Sequence, residues 1–229
     1  DDKFYDRSQD FALYRTVDDK FFTINEFIDA IKDRHQDKDG KTICLYTNNV
    51  DAQHMYVSKA TDKNYDVLVL DSPIVAHLIQ KLETKLDKVS FVRVDSDSID
   101  NLIKKEDKLE SILSEEDQKK LKKSIEKILP SEGFSVSFDA LSPSSPPIVI
   151  TQSEFMRRMK EMSMTGGGPM MGMGNMPDSY NLIVNSNHKL ITKINGMKGK
   201  PKTSLIKQVI DLGLLANNLL KGEGLTNYI

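Results

Sequence analysis

The sequence predicts two unlike units in one chain: an α/β unit of three parallel strands with covering helices, followed by a small α+β domain that ends in helices. Three observations carry this. Short apolar runs at Thr42–Thr47, 67–70 and 89–94 alternate with helical patterns, the order that gives parallel pairing with right-handed crossovers. Residues 95–107 are acidic and poor in apolar side chains, which marks a boundary. Charge divides as well: residues 152–229 hold ten Lys/Arg against five Asp/Glu, a net of +5, and residues 1–151 hold 22 against 29, a net of −7. The expected domains are 1–107 and 108–229.

Residues 1–22 are aromatic and charged without a clear period. Thr23-Ile24-Asn25-Glu26 has capping-box spacing. Ile24, Phe27, Ile28 and Ile31 then place one apolar stripe on a helix. After the strand Thr42–Thr47, residues 50–59 read as a helix. Val67-Leu68-Val69-Leu70 is continuously apolar, the mark of a strand covered on both faces. Asp71-Ser72-Pro73 supplies cap candidates and a proline suited to a first helical turn, and Ile74, Val75, Leu78, Ile79, Leu82 and Leu86 follow at helical spacing. In the second region, Ser114-Glu115-Glu116-Asp117 opens a helix whose acidic start and lysine-rich end suit the helix dipole. Phe134, Val136 and Phe138 alternate with serines as in a half-buried strand, and Ile148-Val149-Ile150 reads as its antiparallel return. Thr151-Gln152-Ser153-Glu154 has capping-box spacing before a helix, 166–177 is too rich in Gly and Pro for regular structure, and 180–184 is a strand. A short helix at 188–194 and a long one at 203–220 complete the chain.

Composition excludes several classes. The 229 residues carry a net charge of −2, unlike a dedicated nucleic-acid binder, and no stretch approaches the roughly 20 apolar residues of a membrane span. Neither nucleic acid nor membrane is therefore an expected partner. The single cysteine, Cys44, can form no internal disulfide and no Cys-based metal site, which points to a reducing, cytoplasmic setting. The start Asp1-Asp2-Lys3-Phe4 lacks a Met and an apolar signal segment, so a piece of a longer protein is expected. Asp71 stands at the carboxyl end of a buried strand, where open α/β sheets bind ligands, and resembles the phosphoacceptor of receiver domains. The acidic pair such a site needs after the first strand is replaced by Thr47-Asn48-Asn49, so Asp71 reads as a helix cap. No Gly-rich phosphate loop follows any strand, and His35, His54, His77 and His188 share no ligand spacing. No catalytic, cofactor-binding or metal site is expected.

Methionine carries the functional signal. Eight of ten fall between Met156 and Met176. Phe155, Met159 and Met162 follow i, i+4, i+7 with Met156 beside them, while Arg157, Arg158, Lys160 and Glu161 take the other face. Flexible thioethers suit promiscuous apolar binding, and an ordinary core stripe is the competing reading. The last long helix is apolar nearly all round, through Leu205, Ile206, Val209, Ile210, Leu212, Leu214, Leu215, Leu219 and Leu220. That exceeds the stripe of a one-sided helix and implies cover by a second chain.

The order of these parts, with four motifs, resembles the ninety-kilodalton heat-shock chaperone family in its bacterial HtpG form. Phe22-Thr23-Ile24-Asn25-Glu26-Phe27 is similar to its T-x-x-[ED]-[YF]. Leu70-Asp71-Ser72-Pro73-Ile74 is similar to the start of its x-x-x-P-I-D-E, Asn185-Ser186-Asn187-His188 to its N-P-x-H, and Asp211-Leu212-Gly213-Leu214-Leu215 to its D-x-A-L-L. Val75 and Ala76 stand where the family has an acidic pair, Ser186 where it has Pro, and Gly213 where it has Ala.

The resemblance implies an ATP-driven, stress-response clamp that aids protein folding, of which this chain holds the end of the middle domain (1–107) and the C-terminal dimerisation domain (108–229). ATP and Mg would belong to the full-length protein, with the nucleotide domain and catalytic arginine before Asp1 and a further helical turn or two after Ile229. The implied partners are a second copy and unfolded clients. Client contacts would fall on Phe155, Met156, Met159 and Met162 and on the helix of His77 and Gln80, where the family often has an aromatic residue at the position of His77. Dimerisation would use Leu205, Val209, Leu212, Leu215 and Leu219. Two other readings compete: a Met-rich signal-sequence binder like the M domain of the signal recognition particle, which is all-helical and strongly basic, and a receiver-like switch.

Overall fold

A computed structural model of the chain describes residues 2–104, 109–129, 133–165 and 178–229. The chain divides into two compact units, Asp1–Glu106 with Glu154–Met176, and Asp107–Ser153 with Pro177–Ile229.

The first unit is built on a parallel sheet of β3 (Thr42–Thr47), β4 (Val67–Val69) and β5 (Val89–Arg93) in the order β4-β3-β5. Leu45 pairs with Val67, Cys44 with Phe91 and Tyr46 with Arg93. All six residues of β3 are buried, as a central strand covered on both faces requires. On one face Cys44, Tyr46, Leu68 and Phe91 pack with α2 (Ile24–His35) and α4 (Val75–Lys85). The remaining helices are α3 (His54–Asp62) and the short α5 (Ile99–Leu102).

Helix α2 begins with the expected capping box. Thr23 N donates to Glu26 Oε2 at 2.8 Å, and Glu26 N donates to Thr23 Oγ1 at 3.4 Å. At its other end His35 is fully buried. Its Nε2 accepts from Asp66 N at 3.0 Å, which leaves the proton on Nδ1, 2.9 Å from the Ile43 carbonyl. Helix α4 starts at Val75, and Ser72 Oγ, not the Asp71 carboxylate, accepts from Ile74 N. The leading residues, which lack periodicity, form α1 (Asp2–Ser8) and a two-residue hairpin of β1 (Tyr14–Arg15) and β2 (Phe21–Phe22). That hairpin is bridged to the sheet through Thr16 and Leu68.

The second unit holds α6 (Glu115–Glu126), then a sheet of β6 (Phe134–Asp139), β7 (Ile148–Thr151) and β8 (Tyr180–Asn185). It ends in α8 (Lys189–Gly196), α9 (Gly199–Ala216) and α10 (Gly222–Thr226). The strand order is β6-β8-β7, with β6 parallel and β7 antiparallel to β8. The expected antiparallel return of β7 onto β6 does not form, because β8 inserts between them. Leu121, Ile125, Val136, Ile150, Leu182, Ile191 and Ile210 lie in its core. Asn185, Ser186 and Asn187 are buried and tie loops together. Asn185 Nδ2 donates to the carbonyls of Ser142 and Ser145, Ser186 Oγ to that of Asp139, and Asn187 Nδ2 to that of Glu110.

The 12-residue helix α7 (Glu154–Thr165) leaves the second unit after β7 and belongs to the first by its contacts. A domain running without interruption from 108 to 229 is not what the structure has. The capping box expected over 151–154 is also absent: Thr151 remains in β7, and the Glu154 carboxylate is committed elsewhere. The Gly/Pro segment 166–177 lies outside the described residues.

Candidate functional site

Helix α7 sits on the sheet face that carries Tyr46 and Arg93, side by side near the carboxyl ends of β3 and β5. Its charged side does the docking. Glu154 Oε1 accepts from the Tyr46 hydroxyl at 2.9 Å, from Arg157 Nη2 at 2.6 Å and from Arg158 Nε at 2.6 Å. Its Oε2 lies 3.3 Å from the donating Arg93 N. Arg157 also donates to the Tyr46 hydroxyl and, at 2.5 Å, to Glu161, and its guanidinium stacks over the Tyr46 ring. Arg158 reaches across to α4, donating to Glu83 at 2.8 Å and to the Phe91 carbonyl. Glu83 in turn accepts from Phe91 N at 2.7 Å. Arg93 continues the chain of charges to Asp95 at 2.5 Å, and Asp95 accepts from Gln53.

Burial is deep at the centre. The Arg157 side chain is 5% exposed, and its Nε has no hydrogen-bond partner among the described residues. Burial alone would push the Glu154 carboxyl up, but the Arg157 and Arg158 guanidiniums outweigh it and hold it below its usual range. Burial and the Glu154 charge raise the Tyr46 hydroxyl, so it stays protonated and donates. Ionised carboxylates and guanidiniums therefore face one another across the whole seat.

The apolar side of α7 points outward. Phe155 is 67% exposed, Met156 37% and Met164 68%, while Met159 and Met162 are half-buried. Arg157 and Arg158, on the face opposite the methionine stripe, are the docked side. On α4, Gln80 is exposed and His77 half-buried, and Glu83 lies one turn beyond Gln80. Sequence reading missed Tyr46, Glu83, Arg93 and Glu154 as members of this cluster.

Of the five leucine and valine positions assigned to dimerisation, Val209 lies in the core of its own unit with Ile206, Ile210 and Leu214. Helix α9 is thus partly wrapped by its own sheet and helices, and its apolar excess is smaller than the sequence implies. Leu205 and Leu219 pack against that core from its edge. Leu212 and Leu215 face outward, 53% and 39% exposed.

Among the described residues no helix is long and apolar enough to cross a membrane, and no three His, Cys, Asp or Glu side chains gather as a metal site. An all-helical M-domain fold is incompatible with the two three-stranded sheets, and nothing supports a receiver-like switch. The family model described as Hsp90 protein matches residues 6–222. The chain belongs to the Hsp90 family. It is 36% identical to the chaperone protein HtpG of Bacteroides thetaiotaomicron, in an alignment covering 99% of this chain and 43% of that protein. Identity to the HtpG of Bacteroides fragilis is 35% over the same shares, and to that of Porphyromonas gingivalis 41%, over 90% of this chain and 30% of the relative. This Hsp90-family chain therefore spans less than half the length of these bacterial heat-shock chaperones. The four motifs fall inside the matched span, and two now have structural roles: Thr23 and Glu26 start α2, and Asn185–His188 knots the loops around β8.

Proposed function

We propose that this chain is the client-holding and dimer-forming part of an ATP-driven chaperone of the HtpG type. One observation supports client holding above others: α7 docks through its charged side and leaves Phe155, Met156 and Met164 open. A helix kept only to complete a core would do the reverse. Apolar burial gains roughly 25 cal/mol per Å², so a few hundred Å² of contact gains several kcal/mol before ordering costs take much of it back. Weak, broad binding to unfolded chains is the expected behaviour, with His77 and Gln80 of α4 as neighbouring contacts. Dimerisation rests on Leu212 and Leu215, with Leu205 and Leu219 at the margin. ATP and Mg binding belong to the length of the relatives that this chain does not span, and the working site is the cytoplasm.

The test is a serine replacement of Phe155, Met156, Met159 and Met162. Client binding, read by anisotropy of a labelled unfolded chain, should weaken about ten-fold with little change in Tm, since weak exposed contacts are lost and no core is opened. Unfolding of this variant would mean that the stripe is structural, because core truncations cost about 2–5 kcal/mol each. For dimerisation, mass measured across a dilution series should show a dimer that Leu212→Glu with Leu215→Glu converts to monomer. A wild-type monomer at high concentration would refute that assignment.

A further inference from the structure

We infer that the buried polar groups of Tyr46, Glu83 and Arg93 position the α7 stripe: they hold α7 as a helix on the α/β unit, and the client surface exists only while this latch is closed. The inference rests on the client reading of α7 but concerns different residues, none of which belongs to the stripe.

Two observations carry it. First, α7 has 12 residues, and an isolated helix shorter than about 12–15 residues is marginal in water. Its most exposed side chains include the apolar Phe155, Met156 and Met164, with Met159 and Met162 only half-buried, so apolar packing contributes less to its docking than in an ordinary amphipathic helix. Second, the contacts that replace apolar packing are charge-assisted hydrogen bonds from two arginines of α7 to groups fixed on the sheet and on α4. Arg158 meets Glu83 at 2.8 Å and the Phe91 carbonyl, and Arg157 meets the Tyr46 hydroxyl. Glu154 closes the set by accepting from Tyr46 at 2.9 Å and from Arg93 N at 3.3 Å. Arg158 and Glu83 are mostly buried, at 17% and 24% side-chain exposure, so solvent screens them less than a surface pair. Phe155, Met159 and Met162 share a face only in a helix. If α7 detaches and melts, the stripe disperses.

The direct test uses the full chain with Glu83→Gln, and with the exchanged pair Glu83→Arg plus Arg158→Glu. Hydrogen exchange is followed at the amides of α7 and, separately, at those of β3 and β5, alongside binding of a labelled unfolded chain. The expected result is a loss of α7 protection by about ten-fold or more, intact β3 and β5 protection, weaker client binding, and partial recovery of both by the exchanged pair. If α7 keeps its protection in Glu83→Gln while the sheet remains folded, the latch is refuted whatever happens to binding. Should the variant lose sheet protection as well, Tyr46→Phe, which removes one hydroxyl at nearly constant volume, takes its place under the same criteria. If α7 protection falls and binding does not, Met159→Ser decides between the two ideas. A loss of binding in Met159→Ser refutes positioning, because the stripe then works unheld. No loss in Met159→Ser refutes the client reading instead, and α7 protection alone then upholds the latch.

Discussion

Replacing Arg157 with Met isolates what a buried charge contributes to this unit. The guanidinium is 5% exposed and lies 2.6 Å from Glu154 and 2.5 Å from Glu161. At charge separations near 4 Å and an effective dielectric of 20, each such pair is worth about 4 kcal/mol before desolvation. Methionine fills similar volume and removes the desolvation cost of the guanidinium, but it takes one cation from Glu154, which also accepts from the Tyr46 hydroxyl, and one from Glu161. Arg158 still serves Glu154, and Arg93 still stands 3.9 Å from Glu161, so neither carboxylate is wholly without a cation. Truncating one partner of a buried pair typically costs 3–5 kcal/mol, and the remaining cations place the expected loss at about 3 kcal/mol. The assay is urea unfolding of the full chain, with hydrogen exchange assigning the loss to the first unit. Adding Glu154→Met and Tyr46→Phe to Arg157→Met should recover part of it, since two of the polar partners of the lost guanidinium are then apolar too, while Arg158 keeps Glu83 and Glu161 keeps Arg93. A loss below about 1 kcal/mol for Arg157→Met alone would show that solvent reaches the seat, and the argument from burial would fail.

Three further outcomes follow from particular groups. Glu154 is held below its usual carboxyl range despite burial, by Arg157 and Arg158. Its stabilising contribution is therefore complete above its unfolded value near 4.5 and lost as pH falls through the lower folded value, so α7 protection should stay level from pH 7 to about 5 and drop below that. Cys44 is fully buried, and burial pushes its thiol up to about 12. A thiol reagent at pH 8 should leave the native protein unmodified and label it once in urea, and rapid native labelling would contradict the buried central strand. Asn185→Ala should destabilise the second unit by about 3 kcal/mol in urea unfolding. It leaves the buried Asn187 N without its acceptor at 3.0 Å, at about 1–3 kcal/mol, and takes a donor from the part-buried Ser142 and Ser145 carbonyls, at 2.8 and 3.3 Å, the first of which still accepts from Ser145 N. A cost under 1 kcal/mol would mean that water replaces the side chain.

Local signals made much of the fold legible. The Thr23–Glu26 box, the apolar strand Thr42–Thr47 and the acidic start of α6 at Ser114 all concern neighbours within a few residues, and each stands where the sequence places it. The insertion of β8 between β6 and β7 was not legible, because strand pairing across forty residues leaves no trace in period-2 alternation. The orientation of α7 is more instructive. A period of 3.6 shows that a helix has two faces, and it is blind to which one is docked. That choice depends on the chemistry of the surface the helix meets, here formed by residues 67 to 111 positions away from its arginines. A signal for it does exist on the receiving side. Tyr46 is next to last in β3 and Arg93 last in β5, both strands of mainly buried residues, and Glu83 follows the apolar positions of α4. A buried hydroxyl, guanidinium and carboxylate each require a partner of matching charge or hydrogen-bonding capacity. The sheet and α4 supply too few of these among themselves, whereas Glu154, Arg157, Arg158 and Glu161 supply them within two turns. Matching buried polar demand in one unit against concentrated polar supply in another finds the docked face of α7, and leaves its methionines outside.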